Sequence, residues 1–286
     1  MTAGNRYTIE RAFNNNVVLV KESLTDAEII LLGKGIGFSK KPGDQLETSD
    51  TRIEKKFRLE DQNHIKQYRS LLNQVDESVI GLSEEIIAIV AKELNSPLNE
   101  HVHVALPDHI QFAIHRLRNG LEIVNPFLFE IQTLYPKEFA LAKRASQMIE
   151  ERFAIQIPES ETGFLTLHIH SAANASPVSS TVRFTNLIKE LVEQVENQMS
   201  VRLEKDSVEY ARLITHLRFA IERIRQGKVV VNPLLDRIKQ MCGDSYTLAE
   251  SLSQLITERL EIAVPEDEVG YIAMHLYRLT EVKDDN

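Results

Sequence analysis

The stretch "DHIQFAIHRLRNG" runs from Asp108 to Gly120, and "THLRFAIERIRQG" runs from Thr215 to Gly227. Each places a histidine second, an arginine seven residues later and a glycine last. Ile110, Ala113, Ile114 and Leu117 of the first copy fall at i, i+3, i+4 and i+7, and Leu217, Ala220, Ile221 and Ile224 repeat the stripe. That spacing predicts an amphipathic helix in both places. Gly120 and Gly227 stand where a left-handed cap ends such a helix. "VNP" then recurs at Val124 and Val231, an extended pre-proline segment that opens a further helix.

The likeness extends outward from these segments. Residues 108–170, shifted by 107, overlie 215–277 without a gap, and roughly 25 of about 63 positions are identical. "IPESETGFLTLH" from Ile157 becomes "VPEDEVGYIAMH" from Val264. Proline followed by acids is a sound helix N-terminus. The chain therefore holds two helical domains of about 100 residues each, joined by "SAANASPVSST" between Ser171 and Thr181.

The first 58 residues read differently. Short strands are expected at Tyr7 to Phe13, Val17 to Lys21, Glu28 to Leu32, Gly37 to Ser39 and Arg52 to Leu59. "NNN" (Asn14 to Asn16), "GKGIG" (Gly33 to Gly37) and "KKPGD" (Lys40 to Asp44) are the turns between them. This segment carries a net charge of roughly +2 and the remainder roughly -11. So short a β segment is marginal alone, and partner copies are expected to share its hydrophobic face. The fold class is thus multidomain: a small antiparallel β-sheet domain followed by two homologous all-α helical-bundle domains.

Composition narrows the class. Hydrophobic residues make up 43% and charged residues 26% of 286, the profile of a soluble globular protein. Cys242 is the only cysteine, which fits a reducing cytosol. No signal peptide is read at the start, and no run approaches the ~18 apolar residues of a membrane span. A cytoplasmic protein without membrane insertion is expected.

Nine histidines are present, and His109 maps onto His216 as His168 maps onto His275. Two readings stay open on chemistry alone. One is a semi-buried, hydrogen-bonded residue kept by shared ancestry. The other is an imidazole that accepts a phosphoryl group and so acts as a charge switch, with Arg116 and Arg223 on the same helical faces. A metal site is disfavoured: "HVH" (His101, His103) and "HIH" (His168, His170) resemble ligand pairs, but neither survives in the second copy. No glycine-rich phosphate loop and no "GxSxG" supports an enzyme, so no catalytic residue, metal or cofactor is assigned.

Several segments together resemble the transcriptional antiterminators of the BglG/SacY type. "RAFNNNVV" from Arg11 and "LLGKGIGFSKKPGD" from Leu31 are similar to that family's two RNA-binding hairpins. "LPDHIQFAI" and "LTLHIH" resemble the histidine segments of its first regulation domain, and "ITHLRFAIERI" and "YIAMHLYRL" those of its second. "NEHVHVALPDHI", "NPFLFEIQTLYPKEF" and "LHIHSA" are most similar to the glucose-operon subgroup. The resemblance implies a co-antiterminator RNA-binding domain at 1–60 and PTS regulation domains at 65–172 and 175–286. It implies that the first domain binds a leader-RNA hairpin as a homodimer and blocks a terminator in a sugar operon. Arg11, Asn14, Asn16, Gly33, Lys34, Gly35 and Phe38 match the RNA-contacting positions. Arginine and lysine suit phosphates, asparagine suits base edges, and phenylalanine offers a stacking face. The resemblance also implies phosphorylation at His109, His168, His216 and His275, by the phosphocarrier HPr and a sugar-specific enzyme II. Asp108 is expected to fix the tautomer of His109, and Arg116 and Arg223 to support the pairs. A histidine phosphotransfer carrier without RNA binding is the alternative. A DNA-binding activator would need a helix-turn-helix ahead of the repeat, which the strand-like N-terminus does not offer.

Overall fold

A computed structural model describes residues 6–228 and 230–281 of the chain. Five strands come first: β1 (Arg6–Ala12), β2 (Val17–Glu22), β3 (Glu28–Leu32), β4 (Gln45–Glu47) and β5 (Lys55–Arg58). Eleven helices follow among the described residues: α1 (Gln62–Leu71), α2 (Glu77–Leu94), α3 (Val102–Arg118), α4 (Leu128–Leu134), α5 (Pro136–Phe153), α6 (Glu159–Ala173), α7 (Val178–Met199), α8 (Val208–Arg225), α9 (Leu235–Met241), α10 (Gly243–Leu260) and α11 (Glu266–Glu281). The strand expected at Gly37 to Ser39 is instead a run of turns with Ser39 at φ 56°, and the fourth strand lies at Gln45–Glu47. A residue held at positive φ cannot continue a strand.

The described residues form two compact units, one with residues up to Asn125 and Lys137–Val178, the other with Pro126–Pro136 and Ser179 onward. In the first unit the strand order is β4-β1-β2-β3-β5, and every pair is antiparallel. Val17, Val18, Leu19 and Val20 of β2 are all buried. Side chains alternate across a strand, so an unbroken apolar run means that both faces are covered. Phe13, Val17, Leu19, Ile30 and Leu32 share a core with Tyr68, Leu72, Val75 and Ile80 of the α1–α2 region. Tyr7, Ile9, Val18, Val20, Ile29 and Leu31 form a second core under Ile36 and Leu46. One face of the sheet is thus covered by the α1–α2 region. Asp61 caps α1, its side chain accepting from the backbone N–H groups of Asn63 and His64.

Arg118 ends α3 and Arg225 ends α8, with Gly120 at φ 66° and Gly227 at φ 61° just beyond. These are the expected left-handed stops. The interval between α6 and α7 is only Asn174 to Pro177, shorter than the linker read from composition.

In the second unit the short helix α4 packs on α8, although in sequence it lies inside the first repeat. Tyr210 Oη donates to Glu130 Oε1 at 2.6 Å, and both residues are buried. Arg218 Nη1 donates to the Leu134 carbonyl at 3.2 Å. The counterpart of α4 in the second repeat, α9, packs instead on α10 and α11 of its own repeat. The two copies are therefore contiguous along the chain but not equivalent in their packing.

Candidate functional site

Two histidine pairs stand at equivalent places in the repeats. Helix α3 carries His109 and Arg116, and α6 carries Glu161 and His168. Seven residues are close to two full turns, so each helix presents its two residues on one face. The rings of His109 and His168 stack with centroids 4.3 Å apart and an interplanar angle of 30°. His109 Nε2 lies 2.6 Å from Glu161 Oε1, and Arg116 Nη2 donates to Glu161 Oε2 at 3.0 Å. Glu161 is fully buried, so its charge depends on these neighbours.

In the second repeat α8 carries His216 and Arg223, and α11 carries Glu268 and His275. The imidazoles stack at 3.4 Å and 13°. Arg223 Nε and Nη2 grip the buried Glu268 with two hydrogen bonds of 2.7 Å. His216, His275, Arg223, Phe219 and Tyr271 line a cavity of about 320 Å³.

Neutral imidazole is the nucleophilic form. Burial, with His109 next to it, pushes the pKa of His168 well below the ordinary 6.5. Burial and then Arg212, Arg278 and Arg223 lower that of His216. Burial, His216 and the same arginines bring His275 to about 4. Nδ1 of His168 and Nδ1 of His275 are buried without a hydrogen-bond partner. The second pair thus faces three arginines. The positions 107 residues before Arg212 and Arg278 are Ala105 and Ser171, so these two arginines have no counterpart in the first repeat.

Asp108 is exposed, and the carboxylate that meets His109 is Glu161. Neighbouring residues on a helix diverge by about 100°, so Asp108 points away from the face His109 uses. The signal was in the sequence: Glu161 and Glu268 recur at the repeat spacing, where they read only as N-terminal helix acids.

The other histidines separate. His103 Nδ1 meets the buried Glu84 at 2.7 Å, while His101 stacks on His64 at 5.5 Å. His170 Nδ1 meets Glu138 at 2.9 Å. Residues at i and i+2 face apart on a helix, which divides both "HVH" and "HIH". Among the described residues no group of three or more His, Cys, Asp or Glu is arranged to hold a metal ion.

The residues matched to RNA contacts gather at one end of the sheet. Asn14 to Asn16 turn β1 into β2, and Gly33 to Phe38 follow β3. Asn16 Oδ1 accepts from the Gly35 N–H at 3.1 Å, tying the two loops together. Lys34 is exposed, and Phe38 is 66% exposed rather than part of the core. Gly35 has φ 70°, whereas a Cβ on Gly33 would fall 1.7 Å from the Arg52 carbonyl oxygen. Gly33 is therefore required by the fold itself. Arg11 Nη1 donates to the Leu72 carbonyl at 2.7 Å, and the side-chain amides of Asn14 and Asn16 both donate to Glu85 Oε1.

Comparison with known proteins places the chain in a family. The CAT RNA binding domain matches residues 7–66, and the PRD domain matches twice, at 84–172 and 189–279. The chain belongs to the transcription antiterminators built from a CAT RNA-binding domain and two PRD domains. It is 40% identical over 276 residues to the "PtsGHI operon antiterminator" of Bacillus subtilis (strain 168), covering 96% of this chain and 97% of that one. It is 31% identical over 274 residues to "Transcription antiterminator LicT" of the same organism, with 95% and 98% covered. "Protein GlcT" of Staphylococcus haemolyticus is 32% identical over 273 residues, with 95% of each chain covered. The solved structure "Crystal structure of GlcT CAT-PRDI" matches with a TM-score of 0.50 and 43% identity, over 59% of this chain and 98% of that one. Among the described residues no helix is long and apolar enough to cross a membrane.

Proposed function

We propose that this antiterminator binds, as a homodimer, a hairpin in the leader of a glucose-uptake operon, and that phosphoryl groups on His109, His168, His216 and His275 set its activity. The observation that carries the reading is the stacked histidine pair beside a buried glutamate held by an arginine in both repeats. In each transfer an imidazole nitrogen forms a new N–P bond as the bond from phosphorus to the donor protein breaks, and the donor leaves with the bonding electrons. The donors are HPr and a sugar-specific enzyme II. Stacked imidazoles bring two acceptors together, so charge added to either is felt by its partner and by the helices that hold them.

The two sites respond differently to added charge. At His109 a new negative group meets the buried carboxylate of Glu161, and Arg116 already serves that carboxylate. At His216 a new negative group meets Arg212 and Arg278 in addition to Arg223, which already serves Glu268. Charge at the first site separates α3 from α6; charge at the second is neutralised. A His109→Asp chain is expected to lose most antitermination in a terminator-reporter assay, and His216→Asp to lose less. The reverse order contradicts the assignment. A carrier without RNA binding would leave the loop residues Asn16, Lys34 and Phe38 without a role.

A further inference from the structure

Half of the RNA-contacting face is already occupied from within the chain. Helix α2 runs beneath the turn between β1 and β2, and Glu85 projects from it. Asn14 Nδ2 donates to Glu85 Oε1 at 3.2 Å and Asn16 Nδ2 donates to the same oxygen at 3.1 Å. The acceptor halves of both amides are also used, Asn14 Oδ1 by the Asn16 N–H at 2.8 Å and Asn16 Oδ1 by the Gly35 N–H. Arg11 donates to the Leu72 carbonyl and lies 4.0 Å from Glu77. Gly81, one turn before Glu85, permits the approach: a Cβ there would stand 2.5 Å from Asn14 Nδ2 and 3.2 Å from Phe13 Cβ. Lys34 and Phe38 stay exposed on the same loops.

We propose that Glu85 is an internal RNA mimic: its carboxylate takes the asparagine amide donors that would otherwise meet RNA acceptors, and so holds the RNA-binding face partly closed. The proposal rests on the assignment of Asn14 and Asn16 to RNA contact. The chemistry is that of competing anions. An amide N–H that reads a base or sugar acceptor is satisfied equally by a carboxylate oxygen, and a hydrogen bond to an ionised acceptor is the stronger kind. The same negative charge repels an incoming phosphate backbone. Glycine at 81 is poor for a helix interior, yet it is the residue that lets α2 come this close. RNA therefore meets Lys34 and Phe38 first, and full engagement requires the Glu85 side chain to swing away. Helix α2 also packs on α3, the helix that carries His109, so latch and phosphorylation site share one element contact.

The test uses the full chain and a transcript of the leader of the Bacillus subtilis PtsGHI operon. Glu85→Ala is expected to bind it about tenfold more tightly than the parent, the factor that follows if the open form is about a tenth of the population. Gly81→Ala is expected to move affinity in the same direction, by pushing Asn14 off the helix without removing the carboxylate. Far-ultraviolet circular dichroism and a thermal melt establish that each variant is folded. If Glu85→Ala or Gly81→Ala is folded and binds with unchanged or weaker affinity while Asn16→Ala still abolishes binding, Glu85 is no latch and the RNA face stands. If Asn16→Ala has no effect on the binding of Glu85→Ala, the RNA-face assignment fails, and the latch fails with it.

Discussion

His275 sits in surroundings that differ strongly from those of free histidine. It is half-buried, stacked on His216 and close to Arg278, Arg223 and Arg212, and its pKa falls to about 4. A folded pKa below the ordinary 6.5 means that the unfolded chain binds more protons between those values. The stability this group contributes is full above pH 6.5 and is lost as pH falls through about 4. His168 and His216 are shifted in the same direction. The melting temperature is therefore expected to fall on acidification from pH 7 to pH 5, and His275→Gln, which does not titrate there, is expected to flatten that slope. An unaltered slope in the variant would show that the pair does not control acid stability. At this scale the histidines were legible because they recur, and the arginines because they recur with them. Glu161 was not assigned to His109, since the two are far apart in sequence and meet only when α3 packs on α6. Glu85 carries no repeat signal at all: the residue 107 positions later is Val192, in a helix with no sheet beneath it.

Among elements, α4 is the odd member. The sequence repeat puts it with the first helical domain, but Tyr210 and Arg218 hold it on α8. Tyr210→Phe deletes the donor to a buried carboxylate, for a cost of about 1–3 kcal/mol. A chemical-denaturation curve for that variant should show the loss, and adding Glu130→Leu should restore much of it. A Tyr210→Phe chain as stable as the parent would mean that water satisfies Glu130 equally well. Helix boundaries in the repeat were readable from Gly120, Gly227 and the two proline-acid starts, because caps are local chemistry. The expected fourth strand was not. "GFS" (Gly37 to Ser39) reads as a strand, yet the turns from Gly35 onward carry that stretch out of the ladder. Continuous burial along β2 was visible as an apolar run, but what covers each face is a long-range fact that no local pattern encodes.

At the scale of the molecule, a weakly basic sheet domain is followed by acidic helical repeats, and the division is visible in charge alone. The two repeats have diverged: each histidine pair stands beside a buried carboxylate held by an arginine, and the second pair also faces Arg212 and Arg278. The decisive measurement is the affinity of the full chain for the leader hairpin before and after phosphorylation by HPr and the sugar-specific enzyme II, alongside a chain with all four paired histidines changed to alanine. The account predicts that phosphorylation shifts the parent's affinity by at least about fivefold, a coupling of about 1 kcal/mol, and leaves the four-alanine chain unmoved. Label incorporated at His109, His168, His216 or His275 with no change in RNA affinity would contradict it.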